Sequence, residues 1–327
     1  MDVPDACNEC DRLLDTVAES VVAEREFLET VLTAVLARGH VLIEDVPGTG
    51  KTLTARSFAT ALGLTFARVQ FTPDLLPADV TGTHLYREGD GEFEFSEGPI
   101  FANFVLADEI NRAPPKTQAA LLEAMAEGQV TVDGDTHALP DPFVVVATQN
   151  PVESEGVFPL PEAQRDRFLV KTSIGYPAAS AEKGLLRQRT ERASQTPSTD
   201  DVLDPEGVRR LQSVPEGVTV DDDILSYLID IVRGTRRDAR TEVGVSPRGS
   251  QRLLEAARSR AVIAGRDYVR PVDVQTVGAP VLSHRLVLTT DATVDGATAE
   301  DVVADVFDSI TVPTVSPADP KTPAAGE

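Results

Sequence analysis

The chain has 327 residues, 41% of them hydrophobic, with 53 acidic and 30 basic side chains and a formal net charge of −23. That length holds two ordinary domains, and that hydrophobic share supports a sizeable core and excludes global disorder. The negative charge opposes non-specific binding to nucleic acid or anionic membranes. Scarce lysine and acidic surface stretches such as Thr219-Val220-Asp221-Asp222-Asp223 favour another source for it, a surface selected for solubility in a high-salt cytoplasm.

In chain order, Met1 to Asp15 is acidic and lacks the apolar stretch of a secretory signal. No segment approaches the roughly 20 apolar residues that cross a bilayer, so a soluble, cytoplasmic protein without membrane insertion is expected. Cys7 and Cys10 form a lone Cys-x-x-Cys with no second pair or His cluster to complete a zinc site, and read as incidental thiols near a mobile terminus. Residues 11–38 carry helical spacing, with Leu13, Leu14, Val17, Val21, Phe27, Leu28, Val31, Leu32, Val35 and Leu36, and Gly39 ends that helix. A strand is expected at 40–45, and four more at Phe66–Phe71, Asn103–Ala107, Phe143–Thr148 and Phe168–Ile174. Each is short, apolar and little alternated, as in strands buried on both faces of a parallel sheet. Helices at 52–62 and 115–127 make the pattern α/β.

Two hairpins are expected as insertions. Thr83–Tyr86 and Glu92–Phe95 flank Gly89-Asp90-Gly91, while Gln129–Val132 and Thr136–Leu139 flank Asp133-Gly134-Asp135. After Tyr176-Pro177, where the domain boundary is placed, helices are expected near 179–193, 221–238 and 247–265 and from Asp301. A polar connection covers 194–205, and the Pro-, Ala- and Gly-rich tail 314–327 is expected to be disordered.

Five constellations carry chemistry. One residue beyond Val41-Leu42-Ile43 the chain reads Asp45-Val46-Pro47-Gly48-Thr49-Gly50-Lys51-Thr52-Leu53, a phosphate-binding loop entered from a strand. Gly48 and Gly50 let successive N–H groups turn toward phosphate oxygens, Lys51 supplies a point charge, and Thr52 offers a hydroxyl to Mg²⁺ at the start of a helix. Asp45 stands where the usual pattern has Gly. Next, Phe104–Ala107 ends in Asp108-Glu109, at the strand edge where ligands sit in open α/β sheets. Asp108 is placed to hold Mg²⁺ and Glu109 to polarise an attacking water. Third, Phe143–Thr148 leads to Asn150, whose amide could bridge that water and a γ-phosphate; an Asn-Pro turn initiator is the plain alternative. Fourth, Arg165 and Arg167 precede Phe168, where a guanidinium could project into a neighbouring subunit's site or simply pair with Asp166 or Glu162. Last, Ser246-Pro247-Arg248 opens a helix, with Arg248 in a first turn that disfavours a cation. That placement suggests contact with a γ-phosphate, with a plain surface arginine as the alternative.

The order of these motifs resembles AAA+ ATPases, and within them the MoxR family. The carrying segments are Gln70–Gly82, Asp108–Gln118, Phe158–Gln164 and Ser246–Arg248, and the likeness runs from about Val17 to Val312. It implies an αβα sandwich whose parallel five-stranded sheet has order 5-1-4-3-2, a hairpin inserted in the second helix near 82–99, and a smaller all-helical lid at 177–313. It also implies ATP and Mg²⁺ as cofactors and an assembly into a ring, with a hexamer expected. Protein clients follow from the same resemblance, among them partners with von Willebrand factor A domains, in complex remodelling or metal cofactor insertion. Arg165 departs from the family, where an apolar residue is more usual. The Arg-Phe step favours Arg167 as the trans-acting arginine.

Other functions compete. A nucleic-acid motor wants basic hairpins, yet the first carries Glu88, Asp90, Glu92 and Glu94 beside Arg87. A nucleotide-dependent scaffold with little hydrolysis does not need Asp108, Glu109, Asn150 and two arginines together. A small-molecule kinase lacks an evident acceptor pocket.

Overall fold

Three runs of apolar residues, at Val41, Phe104 and Val144, form the centre of one parallel sheet in the computed structural model, which describes residues 1–89, 91–151, 156–177, 179–191 and 197–314. Their elements come in this order: α1 (Val3–Ser20), α2 (Arg25–Leu36), β1 (Val41–Glu44), α3 (Lys51–Ala61), β2 (Phe66–Gln70), α4 (Pro77–Thr81), β3 (Gly82–Arg87), β4 (Glu92–Glu97), β5 (Phe104–Asp108), α5 (Pro115–Glu127), β6 (Gln129–Val132), β7 (Asp135–Ala138), β8 (Val144–Gln149), α6 (Glu162–Arg165), β9 (Val170–Thr172), α7 (Ala179–Glu191) and α8 (Pro205–Ser213). The five-stranded sheet has the order β2-β5-β8-β1-β9, every pairing parallel. Counting only these frame strands along the chain, that is 5-1-4-3-2, as the resemblance implies.

β5 is buried throughout and β8 nearly so, which explains their unbroken apolar sequence. β2 differs. It is an edge strand in which only Val69 is buried, so Arg68 and Gln70 stay available for polar work at the strand end. The two hairpins, β3–β4 and β6–β7, pair in antiparallel register as expected, with Asp90 outside the described residues.

The expected helix at 11–38 is two helices. Asp2 caps the first, its side chain accepting from Asp5 N at 2.9 Å with Pro at the helix start, so α1 begins earlier than the apolar spacing suggests. It stops where Val21 is extended, at φ −124° and ψ 130°, in a Val-Val step that suits extended backbone. The first residues are therefore ordered helix, not a mobile terminus. Cys10 is buried there, and burial pushes its thiol up to about 12, well away from the reactive range.

The chain divides into two compact units, Met1–Ser213 and Val214–Glu327. The first reaches beyond the boundary expected near Tyr176-Pro177 for a physical reason. Val202 N and Leu203 N donate to Ala61 O at 2.9 and 3.1 Å, Thr199 Oγ1 donates to Ser57 Oγ at 3.1 Å, and Gln212 Nε2 donates to Val35 O at 2.8 Å. These bonds hold 199–213 on α2 and α3.

The second unit contains α9 (Asp222–Arg237), β10 (Thr241–Val243), α10 (Pro247–Ile263), α11 (Pro271–Leu282), β11 (Val287–Leu288), α12 (Thr290–Val294) and α13 (Ala299–Ser309). Its core is built by Ile224, Ile231, Leu253, Ala257, Val274, Val281 and Val302. Among its described residues it is helical but for a parallel bridge between Thr219 and Tyr268 and the short antiparallel ribbon β10–β11, which no sequence pattern announces. Of the expected tail, 315–327 lie outside the described residues.

Candidate functional site

At the C-terminal ends of β1, β5 and β8 lies a cavity of about 390 Å³ lined by Pro47, Gly48, Gly50, Lys51, Thr52, Leu53, Asp108, Glu109, Thr148, Gln149 and Asn150. Parallel strands all deliver their following loops to this one edge. The loop after β1 is shaped by Gly48 and Gly50, with φ of +89° and +93°. A Cβ at either would meet nothing within 4 Å, so backbone conformation rather than crowding demands glycine. Among the described residues no protein acceptor takes the N–H groups of Gly48 to Leu53. They are the uncapped donors of the α3 N-terminus, a natural anion seat. Lys51 Nζ meanwhile donates to Asp45 O at 2.9 Å and Val46 O at 2.7 Å, two acceptors of its own loop.

Asp45, the departure from the usual loop pattern, is 6% exposed. Its Oδ1 accepts from Val46 N at 2.8 Å, and its Oδ2 accepts from Ile174 N at 3.0 Å and Gly175 N at 2.8 Å. The carboxylate is thus seated on three backbone donors and joins the loop to the segment leaving β9.

Asp108 is 8% exposed. Its Oδ1 accepts from Thr148 Oγ1 at 2.7 Å, and its Oδ2 accepts from Arg68 Nε at 3.1 Å and Nη2 at 2.7 Å. Arg68 Nη2 also donates to Gln70 Oε1 at 2.7 Å, and Gln70 Nε2 donates to Glu109 Oε2 at 2.8 Å. Arg112 Nη1 reaches the same Glu109 oxygen at 3.2 Å. Glu109 sits in left-handed backbone, φ 57° and ψ 50°, which costs a non-glycine residue about 1–2 kcal/mol. Thr148 Oγ1 helps fix this turn by accepting from Glu109 N at 2.8 Å. Sequence reasoning missed Arg68, Gln70 and Thr148. Their signal is polar residues at alternate positions of β2 and a Thr one strand away, visible only once the register Gln70↔Asp108 is known.

The expected site residues divide by location. The phosphate loop, Asp108, Glu109 and Asn150 meet in one cavity. Arg167 does not line it; its Nη1 donates to Leu122 O of α5 at 2.8 Å. Arg165 sits on α6, with its Nε buried and without a protein partner. Arg248 is exposed in the first turn of α10, whose cap is Ser246 Oγ accepting from Gly249 N at 3.3 Å. The donor set suits a magnesium nucleotide. Thr52 and Asp108 offer hard oxygens, the uncapped N–H groups and Lys51 offer positive ends, and Mg²⁺ normally takes few protein ligands beside phosphate and water.

Residues 40–170 match the family model described as "ATPase family associated with various cellular activities (AAA)", and residues 233–306 match an AAA lid domain. The chain is 47% identical to the uncharacterized protein YeaC of Bacillus subtilis, over 92% of this chain and 94% of that one. It is 45% identical to chaperone MoxR1 of Mycobacterium tuberculosis, covering 94% and 83%, and 34% identical to protein MoxR of Paracoccus denitrificans, covering 82% and 85%. The chain belongs to the MoxR family of AAA+ ATPases. The crystal structure of a Cytophaga hutchinsonii protein assigned as an ATPase superposes with a TM-score of 0.88 at 35% identity, covering 95% of this chain and 97% of that one. The MoxR-type frame explains why the cavity lies wholly within 40–170: loop, Asp108, Glu109 and Asn150 are one structural unit. Among the described residues no helix is long and apolar enough to cross a membrane.

Proposed function

We propose that this MoxR-family protein hydrolyses ATP with Mg²⁺ and uses the cycle, as a ring, to remodel protein complexes. The observation that carries the reading is the single cavity joining uncapped N–H donors, Lys51, Asp108, Glu109 and Asn150. In it, residues 46–53 seat the triphosphate, with Lys51 moving its ammonium from loop carbonyls to phosphate oxygens. Thr52 and Asp108 would hold Mg²⁺, which when bound neutralises charge on the phosphates. Glu109, aimed by its left-handed turn, orients and polarises the attacking water, and Asn150 positions that water against the terminal phosphate. Arg248, from its place in the family motif, is proposed to sense the terminal phosphate. Arg167 would act on a neighbour's site; one of its nitrogens rests on Leu122 O, and the rest of the guanidinium can serve a partner.

The relatives named MoxR1 and MoxR support a chaperone-like role, and family resemblance extends it to von Willebrand factor A domain partners, metal cofactor insertion and a hexameric, cytoplasmic, salt-adapted assembly. A nucleic-acid motor is disfavoured because the basic residue of the first hairpin, Arg87, is ion-paired with Glu94. The test is nucleotide affinity and turnover in high salt. Lys51→Ala should lose affinity, whereas Glu109→Gln should bind ATP yet turn over at least ~100-fold more slowly. Unchanged affinity in the first, or normal turnover in the second, overturns the assignment. Mixing inactive Arg167→Ala with inactive Lys51→Ala subunits should restore hydrolysis; mixed oligomers inactive at every ratio would move the role to Arg165.

A further inference from the structure

A second cavity, of about 510 Å³, lies wholly within the second unit. Arg233, Arg236 and Arg237 of α9 line it together with Ile229 and Val232, and Pro247 and Ser250 of α10 close the other side. Arg233 stands three and four positions before Arg236 and Arg237, so the guanidiniums share a helix face. Like charges at that spacing repel, and a nearby carboxylate is the ordinary remedy. In the same unit Arg240, Arg252, Arg258 and Arg266 each have one. Among the described residues Arg233, Arg236 and Arg237 have none, in a chain that carries 53 acidic side chains.

Helix polarity accounts for part of the cluster. Arg236 and Arg237 fall in the last turn of α9, where the dipole favours cations, but the effect fades within that turn and does not reach Arg233. Arg236 is also fixed in place. Its Nε donates to Val245 O at 2.7 Å, and the following loop lies so close that a Cβ at Gly244 would stand 2.6 Å from Arg236 Cγ. Arg237 also borders a hollow with Asp230, Asp238 and Asp305, yet Asp238 and Asp305 are already taken by Arg240. Arg248, next to Pro247 in sequence, does not line the cavity. Ile229, 51% exposed, gives it an apolar side with Val232 and Pro247, and Ser250 adds a hydroxyl.

We propose that Arg233, Arg236 and Arg237 bind a short run of linked phosphates carried by a small molecule. From Arg233 to Arg237 the helix rises about 6 Å, so the three charges follow a line rather than surround a point, which suits linked phosphates better than a single one. Guanidinium forks match phosphate oxygens two at a time. That chemistry has two sources, an inorganic polyphosphate and a nucleotide whose base rests on the apolar side. The site goes beyond the ATPase reading and does not depend on it, since none of its residues belongs to the phosphate-loop cavity.

The experiment titrates sodium tripolyphosphate into the full chain by calorimetry, without Mg²⁺. The parent should bind two equivalents and Lys51→Ala one. Adding Arg233→Gln/Arg237→Gln to Lys51→Ala should weaken the remaining binding at least about tenfold. With Lys51 intact, the arginine variant should keep parental ATP turnover and circular dichroism, which separates a lost site from lost folding. ADP titrated into Lys51→Ala distinguishes the sources, and either result keeps the site. Binding tighter than that of tripolyphosphate, and lost with Ile229→Ser, identifies a nucleotide; equal or weaker binding identifies an inorganic polyphosphate. No binding to Lys51→Ala, or unchanged affinity in the arginine variant, overturns the proposal. So does citrate, or a peptide of alternating Glu, Leu and Ser, that binds Lys51→Ala as tightly as tripolyphosphate does, since the arginines would then serve carboxylates. If the parent binds one equivalent that survives Lys51→Ala and is lost with the arginines, the phosphate-loop reading falls and this site stands.

Discussion

Two buried aspartates, one in each unit, face an arginine and end in different situations. Asp273, at the third position of α11, is 2% exposed and gripped on both oxygens, by Arg266 Nη1 at 2.6 Å and Nη2 at 2.5 Å, with Arg270 N adding a bond at 2.7 Å. Its partner is also mostly buried. Asp108 gives only Oδ2 to Arg68, whose side chain is 46% exposed, and faces a cavity. The first carboxylate is fully occupied by the protein and fastens a helix start. The second keeps Oδ1 on the Thr148 hydroxyl, but its Oδ2 is held by a partner that solvent can draw away, so that oxygen can be re-used. What separates a structural Asp from a chemical one here is how replaceable its partners are, not burial.

That contrast can be broken by substitution. Asp273→Ala leaves Arg266 buried without its counter-ion and should cost about 3 kcal/mol in denaturant unfolding, with turnover per folded molecule unchanged. Asp108→Asn should do the reverse: turnover falls about 100-fold, near 2.7 kcal/mol, with a higher Mg²⁺ requirement and an unfolding midpoint close to the parent's. If Asp108→Asn mainly unfolds the protein, the distinction fails. Arg68→Gln removes the exposed partner and should lower the Mg²⁺ needed for half-maximal turnover about threefold, the scale of an exposed pair. The smallest effect concerns Asp238. Hydrogen bonds from Arg240 hold its carboxyl below the usual carboxylate range. A depressed folded-state value means its stabilisation is complete above the ordinary carboxylate range and is lost as pH falls through the lowered value. Arg240→Gln should therefore raise the midpoint of acid unfolding slightly, by no more than about 0.5 kcal/mol in equivalent stability.

The sheet frame was legible because β1, β5 and β8 are buried on both faces and so lack any competing pattern. The phosphate loop, Asp108, Glu109 and Asn150 follow from those strands by position alone. Less was legible where partners are distant in sequence. Arg68 and Gln70 look like ordinary edge-strand polar residues until Asp108 and Glu109 are brought alongside. The attachment of 199–213 to the first unit depends on backbone bonds to Ala61 and a Gln212 side chain, which leave no periodic trace. The break at Val21 was hidden because apolar spacing carries on across it.

Asp45 has one more consequence, in entropy. Three backbone donors on one carboxylate anchor the phosphate loop at its entrance before any ligand arrives. The loop therefore gives up much of its freedom during folding rather than during binding. A nucleotide meeting this loop should show a smaller ordering penalty than one meeting a loop that begins with glycine. Calorimetry of Asp45→Gly would register the difference as a less favourable binding entropy, even where the affinity changes little through enthalpy compensation.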